Sequence, residues 1–242
     1  MNVLILAAGP ERAEDHADSY PLCLAELDGQ PLIERIIGAL DALSPSRFIF
    51  CFRKSDVRQF HLADITSLLA PGSKVMPVSE RTGGAACTAL LGAEFIDNDE
   101  ELLIVNGNEL LEIDFSVVVN GFRQGDWDAG VVTFPSIHPR YSYVRLDEHG
   151  LVVEAAEKRP ISRFATAGFY WFRRGADFVQ SAKSMIRKDA SVNGSFYICP
   201  SLNELILQQR RIGTHGIEAA QYKPLKTAKQ VEQFETSLGK DY

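Results

Sequence analysis

Apolar and polar positions fall in blocks along the first half of the chain, and the blocks read as strand, helix, strand. Val3 to Ala7 is a continuous apolar run, the pattern of a strand covered on both faces. A polar loop follows, from Gly9 to about Tyr20. Apolar residues at 32, 33, 36, 37 and 40 line one face of a helix that begins near Pro31. Phe48 to Phe52 predicts a second buried strand, and Asp56 to Leu69 a helix ended by Pro71-Gly72. Lys74 to Val78 predicts a third strand. The small-residue loop Thr82-Gly83-Gly84-Ala85 follows it, then a helix over Ala86 to Phe95. Glu101 to Val105 is a fourth strand, running into the polar turn Asn106-Gly107-Asn108-Glu109.

The second half changes character. Ala129 to Phe134, Ser142 to Asp147, Val152 to Ala156 and Ala165 to Phe172 are short strand-like segments, with a hairpin turn at Glu148-His149-Gly150. Helices are expected over Phe178 to Ile186, Ser201 to Gln209 and Ala228 to Ser237. No internal repeat or linker-like shift in composition breaks the chain. The pattern predicts one α/β domain over residues 1–242, with three α/β/α layers, a mostly parallel central sheet and right-handed crossovers.

Composition narrows the function classes. The chain is 45% hydrophobic and 24% charged, ordinary for a globular domain with a sizeable core. Its net charge of -7 argues against a nucleic-acid partner. No apolar run approaches the roughly 20 residues needed to span a bilayer. The first residues lack a basic segment and read as a strand, not as a signal peptide. The four cysteines are scattered without CxxC spacing, which predicts reduced thiols in a cytoplasmic protein.

Ligands of open α/β sheets collect beyond the carboxyl ends of the strands. Three loops satisfy that condition: Gly9-Pro10-Glu11-Arg12, Thr82-Gly83-Gly84-Ala85 and Asn106-Gly107-Asn108-Glu109. Glycines let backbone N–H groups approach phosphates, and an arginine adds a bidentate clamp. For each loop the plain alternative is an ordinary turn.

On these residues the chain resembles the sugar-phosphate nucleotidylyltransferases. Leu6-Ala7-Ala8-Gly9 with Arg12 is similar to the family's opening L-A-A-G-x-G-x-R. Tyr20 to Leu24 and Asp28 to Ile33 resemble the P-K-x-L and G-x-P-L-I segment. Thr82 to Ala85 resembles the base-recognition loop, and Val105 to Asn108 the x-x-G-D strand end. Glu157-Lys158-Arg159-Pro160 resembles the E-K-P segment, and Ala167 to Tyr170 the A-G-I-Y strand of the sugar site. The order holds from residue 3 to about residue 235.

The resemblance implies a nucleotide-diphospho-sugar transferase-like fold, with a nucleotide-binding half at 1–125 and a sugar-binding half at 126–242. It implies transfer of a nucleotidyl group from a nucleoside triphosphate to a sugar 1-phosphate or a related phosphorylated small molecule, with Mg²⁺. Surface-polysaccharide or capsule precursor synthesis is the expected setting. It assigns Arg12 a catalytic role. Leu6, Ala7, Ala8, Gly9, Thr82, Gly83, Gly84, Ala85 and Gly107 are assigned to nucleotide binding. Glu157, Lys158, Ala167 and Gly168 are assigned to the sugar. Asn108, Glu109 and Asn203 are assigned to metal. The partners are then small molecules, with no membrane, and a homo-oligomer is compatible with the sequence.

Several positions depart from the family pattern. The first loop is one residue short and carries Pro10 and Glu11, a lost donor and a repulsive charge beside a triphosphate. Leu22 stands where the family has a phosphate-binding lysine, and Asn108 where it has a metal-binding aspartate. Pro224-Leu225-Lys226-Thr227 takes the place of D-x-G-T. Three readings follow: a nucleotidylyltransferase of full or weakened activity, a silent relative that binds nucleotide or sugar as a regulator or scaffold, and a glycosyltransferase of the same sheet architecture. The last normally needs an acidic D-x-D, which Asn106-Gly107-Asn108 does not supply.

Overall fold

The computed structural model describes residues 1–9, 20–79 and 82–238. The opening apolar run is strand β1 (Asn2–Leu6). A short pair, β2 (Glu26–Leu27) and β3 (Gln30–Pro31), leads into α1 (Leu32–Asp41), which buries Leu32, Ile33, Ile36, Ile37 and Leu40 as its periodicity requires. After β4 (Arg47–Arg53), the single helix expected over 56–69 is two: α2 (Lys54–Gln59) and α3 (Leu62–Leu69). His61 between them is left-handed at φ 51°, which stops one helix and re-aims the next. Strand β5 (Lys74–Val78) has its expected bounds. The helix expected over 86–95 also divides, into α4 (Ala85–Leu90) and α5 (Ala93–Ile96). Leu91 and Gly92 bond to carbonyls three residues back, a tightened turn that ends α4.

Strand β6 (Leu102–Asn106) is followed by β7 (Glu109–Leu111), so Glu109 begins a strand rather than closing a turn. Helix α6 (Phe115–Gln124) was not foreseen, although Asp114 caps it by accepting from the Ser116 and Val117 N–H groups at 2.8 and 3.1 Å. Strands β8 (Ala129–Pro135), β9 (Ser142–Leu146), β10 (Val152–Glu157) and β11 (Phe164–Phe172) follow the pattern, and β9 and β10 form the expected hairpin. Helices α7 (Gly175–Arg187) and α8 (Ile198–Leu207) begin earlier than the sequence suggests. Pro200 lies in the first turn of α8, where its missing N–H costs no helical bond. Strand β12 (Ile212–Gly216), strand β13 (Tyr222–Pro224) and helix α9 (Ala228–Leu238) complete the described chain.

Among the described residues, nine strands form one sheet in the order β10-β9-β11-β6-β1-β4-β5, with β8 beside β11 and β12 beside β8. Strands β5, β4, β1 and β6 are mutually parallel, and β11 runs antiparallel to β6. One apolar core, with Ile33, Phe50, Val119 and Trp171, lies under α1, α3 and α6. A second, with Leu4, Ile104, Phe178 and Leu202, lies under α4, α7 and α8 on the other face. The fold is mixed α/β with a mostly parallel central sheet.

Candidate functional site

Strand β1 sits between β4 and β6, so the chain reverses its direction of travel across the sheet there. That is the switch point at which open α/β sheets form a crevice. The loops leaving β1 and β6 touch. The Gly107 N–H donates to the Leu6 carbonyl at 2.8 Å, and a Cβ on Gly107 would lie 2.7 Å from that of Ala7. Leu6 and Ala7 therefore lie alongside Asn106 and Gly107, and Ala8 and Gly9 follow them. Gly9 accepts a bond from Arg53 Nε at 2.9 Å. Arg12, Pro10 and Glu11 lie outside the described residues.

The loop Thr82-Gly83-Gly84-Ala85 follows the parallel strand β5 and opens α4. Thr82 Oγ1 donates to the Gly84 carbonyl at 3.1 Å and shares a 2.6 Å hydrogen bond with Thr88 Oγ1. Gly84, at φ +119° and ψ −179°, is in a region reserved for glycine. There the loop is stitched to Phe196, whose N–H donates to Gly83 O at 2.7 Å and whose carbonyl accepts from the Ala86 N–H at 3.0 Å. The next residue, Tyr197, accepts a hydrogen bond from Lys158 Nζ at 2.8 Å. One short segment thus touches both the glycine loop and Lys158.

The other half of the crevice forms where β11 changes partners. Phe164 and Ala165 pair with β9, and Phe169 to Phe172 pair with β6. The register against β8 slips between Thr166 and Tyr170, which contains Ala167 and Gly168. Gly168 is left-handed at φ +68°, and the space its Cβ would fill is taken by Glu109: that Cβ would lie 2.0 Å from Oε2. Glu109 is 7% exposed. Its Oε2 accepts from Asn106 Nδ2 at 2.9 Å, its Oε1 accepts from the Tyr222 hydroxyl at 2.7 Å, and Lys226 Nζ lies 2.5 Å from Oε1. Burial, then the Glu109 charge, pushes the Tyr222 phenol well up, so it stays a donor.

Glu157 ends β10 directly opposite Ser142 of β9, and the Ser142 hydroxyl donates to its carboxylate. Lys158 follows in a left-handed conformation at φ 54°, with its N–H on the Tyr141 carbonyl at 3.0 Å. The Tyr141 ring lies 5.9 Å from that of Tyr222, which joins the Glu157-Lys158 pair to the Glu109 cluster. Burial raises the Glu157 pKa above its ordinary 4.5; Ser142, Lys158 and Lys226 lower it, and Glu109 raises it. A carboxyl raised in this way holds its proton more tightly in the folded chain. Its stabilisation is therefore full below about pH 4.5 and is lost as pH rises through the folded pKa. Glu157→Gln is expected to flatten that descending stretch in thermal melts taken across the mildly acidic range. A variant with the wild-type slope would contradict the assignment.

Asn203, expected at a metal, has both polar atoms on the backbone of β10. Its Oδ1 accepts from the Ala155 N–H at 2.9 Å, and its Nδ2 donates to the Ala155 carbonyl at 2.8 Å. It ties α8 to the sheet. Asn203→Asp would set a carboxylate against that carbonyl, and is expected to lower stability by about 2 kcal/mol without altering any response to Mg²⁺. A changed Mg²⁺ requirement with unchanged melting would restore the ligand role. Glu204 next to it is paired with Lys188 at 2.8 Å.

Among the described residues, the expected metal positions offer one carboxylate, Glu109, and two amides, Asn108 and Asn203, too little charge to hold a divalent metal without a substrate's phosphates, and no group of three or more His, Cys, Asp or Glu is placed to hold one. Mg²⁺ sites rely on carboxylates plus substrate phosphates, and Glu109 already takes three donors. The backbone carbonyl of Asn108 accepts from the Leu225 N–H at 2.9 Å. The sequence reading passed over Ser142, Tyr197 and Tyr222, and it gave Asn106 and Lys226 no role beyond their places in motifs. A signal existed for Lys226: Thr227 and Gln230 have the spacing of a helix cap, which fixes where α9 starts.

Comparison with known proteins agrees with this architecture. Residues 21–204 match the nucleotidyl transferase family, a stretch that contains Thr82 to Ala85, Glu109 and Glu157 but stops short of Lys226. A glucose-1-phosphate thymidylyltransferase of Actinoplanes sp. is 35% identical over 133 residues, spanning 51% of this chain and 42% of that protein. The match thus covers less than half the length of that relative. The crystal structure of a nucleoside-diphosphate-sugar pyrophosphorylase from Vibrio cholerae RC9 superposes with a TM-score of 0.83 at 22% identity, covering 98% of this chain and 100% of that one. A structure from Bacillus anthracis described as a glucose-1-phosphate thymidylyltransferase, in complex with sucrose, gives a TM-score of 0.75 at 18% identity, covering 100% and 96%. The chain belongs to the nucleotidyl transferase family.

Proposed function

We propose that the chain transfers a nucleotidyl group from a nucleoside triphosphate to a sugar 1-phosphate. An acceptor phosphate oxygen attacks the α-phosphorus, the bond to the β-phosphate oxygen breaks, and pyrophosphate leaves. One observation carries the acceptor class: two buried carboxylates, Glu109 and Glu157, lie beside two partly exposed ammoniums, Lys158 and Lys226. Carboxylates of that kind accept sugar hydroxyls, and ammoniums hold a phosphate. The name of the Actinoplanes relative supports a hexose 1-phosphate. Leu6 to Gly9, Thr82 to Ala85 and Gly107 form the nucleotide side in this reading, with Arg12 on the triphosphate. The setting is cytoplasmic synthesis of surface-polysaccharide precursors.

A second reading, a silent relative that binds sugar or nucleotide, is favoured by the altered charges at Leu22, Asn108 and Pro224. A pyrophosphate-release screen over nucleoside triphosphates and sugar 1-phosphates separates the two. Leu22→Lys with Asn108→Asp restores one cation and one carboxylate. It is expected to raise turnover at least tenfold, about 1.4 kcal/mol of transition-state stabilisation. Turnover that does not rise would place the deficit elsewhere, and turnover absent from every pairing, with and without the double change, would favour the silent reading.

A further inference from the structure

Two residues beyond Pro224, which stands where the resemblance expects a second metal-binding carboxylate, the chain carries an ammonium. Pro224 of β13 pairs directly with Glu109 of β7. The next residue, Leu225, donates its N–H to Asn108 O at 2.9 Å. The Lys226 N–H donates to Gln230 Oε1 at 2.9 Å, and Gln230 is in turn tied to Thr227 at the start of α9. The Lys226 backbone is thus flanked by a two-strand ladder on one side and a helix cap on the other. Its ammonium rests on a carboxylate held by two further donors, Asn106 and Tyr222. An ammonium has three N–H donors, and Glu109 uses one. The side chain is 47% exposed, so the charge is not sealed in. Its field reaches Glu157, whose proton affinity it lowers, as Lys158 does.

We propose that Lys226 is a built-in cation that binds the acceptor's phosphate, so that the acceptor half of the site works without a divalent metal. The inference rests on the transfer reading above. The local charges, two lysines against two glutamates, nearly cancel. A bare anion therefore gains little there. A phosphate monoester with hydroxyl groups gains on both counts, because its hydroxyls satisfy Glu157 while its phosphate takes the ammoniums. A fixed ammonium also differs from a bound metal in needing no octahedral ligand set and in being insensitive to chelators.

The test is calorimetric titration of the full chain with glucose 1-phosphate, in EDTA and in Mg²⁺, beside inorganic phosphate. The wild-type affinity for glucose 1-phosphate is expected to agree within about twofold between the two buffers and to exceed that for inorganic phosphate. Lys226→Gln is expected to weaken it at least tenfold in both, and Lys226→Arg to keep it within about threefold, with melting curves checking that each variant folds. Binding that requires Mg²⁺ would overturn the inference, as would Lys226→Gln binding like the wild type. Either result leaves the transfer reading standing, since the acceptor still binds. Failure of every sugar 1-phosphate in both buffers would overturn the inference and that reading together. Should Lys226→Gln not fold, the EDTA titration of the wild type and the Lys226→Arg variant decide the matter.

Discussion

Gly168→Ala is expected to lower the melting temperature by roughly 12 °C and to abolish acceptor binding. Two costs combine. A left-handed φ of +68° strains any residue with a Cβ by about 1–2 kcal/mol. The added Cβ would also stand 2.0 Å from Glu109 Oε2 and 2.5 Å from Asn106 Nδ2. Glu109 has no cheap way to move, because Tyr222, Asn106 and Lys226 hold it and displacing it leaves buried donors without an acceptor. That adds about 2–3 kcal/mol. The sum of about 4 kcal/mol corresponds to roughly 12 °C for a chain of this size. Gly150 supplies the control. It lies in the β9-β10 turn at φ +80°, and a Cβ added there would meet nothing within 4 Å, so Gly150→Ala carries strain alone. Its melting point is expected to fall by about 3 °C. A Gly168→Ala melt no lower than that of Gly150→Ala would show that Glu109 is not locked.

Gly84→Ala is expected to open locally the loop Thr82 to Ala85, which the proposed function assigns to the nucleotide. The backbone at φ +119°, ψ −179° is essentially closed to other residues, at a cost of about 3 kcal/mol. The new Cβ would lie 2.4 Å from Phe196 O and 2.7 Å from Phe196 N, which are backbone atoms that no rotamer change can clear. The hydrogen bonds linking Gly83 and Ala86 to Phe196 must lengthen or break. A short surface loop can relieve this by peeling away, so the loss appears as local opening more than as global unfolding. Hydrogen exchange at the Ala86 and Phe196 amides is expected to speed up at least 100-fold, equivalent to about 2.7 kcal/mol. Nucleotide affinity is expected to fall by a similar factor, with glucose 1-phosphate affinity changing less than tenfold. Equal losses of both ligands would mean that the loop and Lys158, joined through Phe196 and Tyr197, move as one unit.

The parts of the fold legible in the sequence are those decided by local periodicity. Lys74 to Val78 is a strand with the expected bounds, and Asp147 to Leu151 turns the expected hairpin. Helix α6 had both a capping aspartate and apolar residues at 115, 118, 119 and 122, so its omission was a signal left unread. The break at His61 was not legible, because a single left-handed residue leaves the apolar spacing almost intact. The cluster around Glu109 and Glu157 was legible only in pieces. Glu157 and Lys158 stood out through a motif. Glu109 looked like a turn residue, because its partner Tyr222 is 113 positions away and the two strands that join them have three residues each. Such short strands carry no period of their own. Gly168 was named for its motif, but its reason, a carboxylate in place of a side chain, exists only in the folded molecule.

Joining a nucleotide to a phosphorylated acceptor is the chemistry proposed for the crevice. The most direct measurement is to incubate the chain with a nucleoside triphosphate labelled at the α-phosphate and with glucose 1-phosphate, then separate the products. The label is expected to pass into a nucleoside diphosphate sugar, with one pyrophosphate released for each molecule formed. Label recovered only as unreacted triphosphate across all four bases and a panel of sugar 1-phosphates, or only as hydrolysed monophosphate, would contradict it.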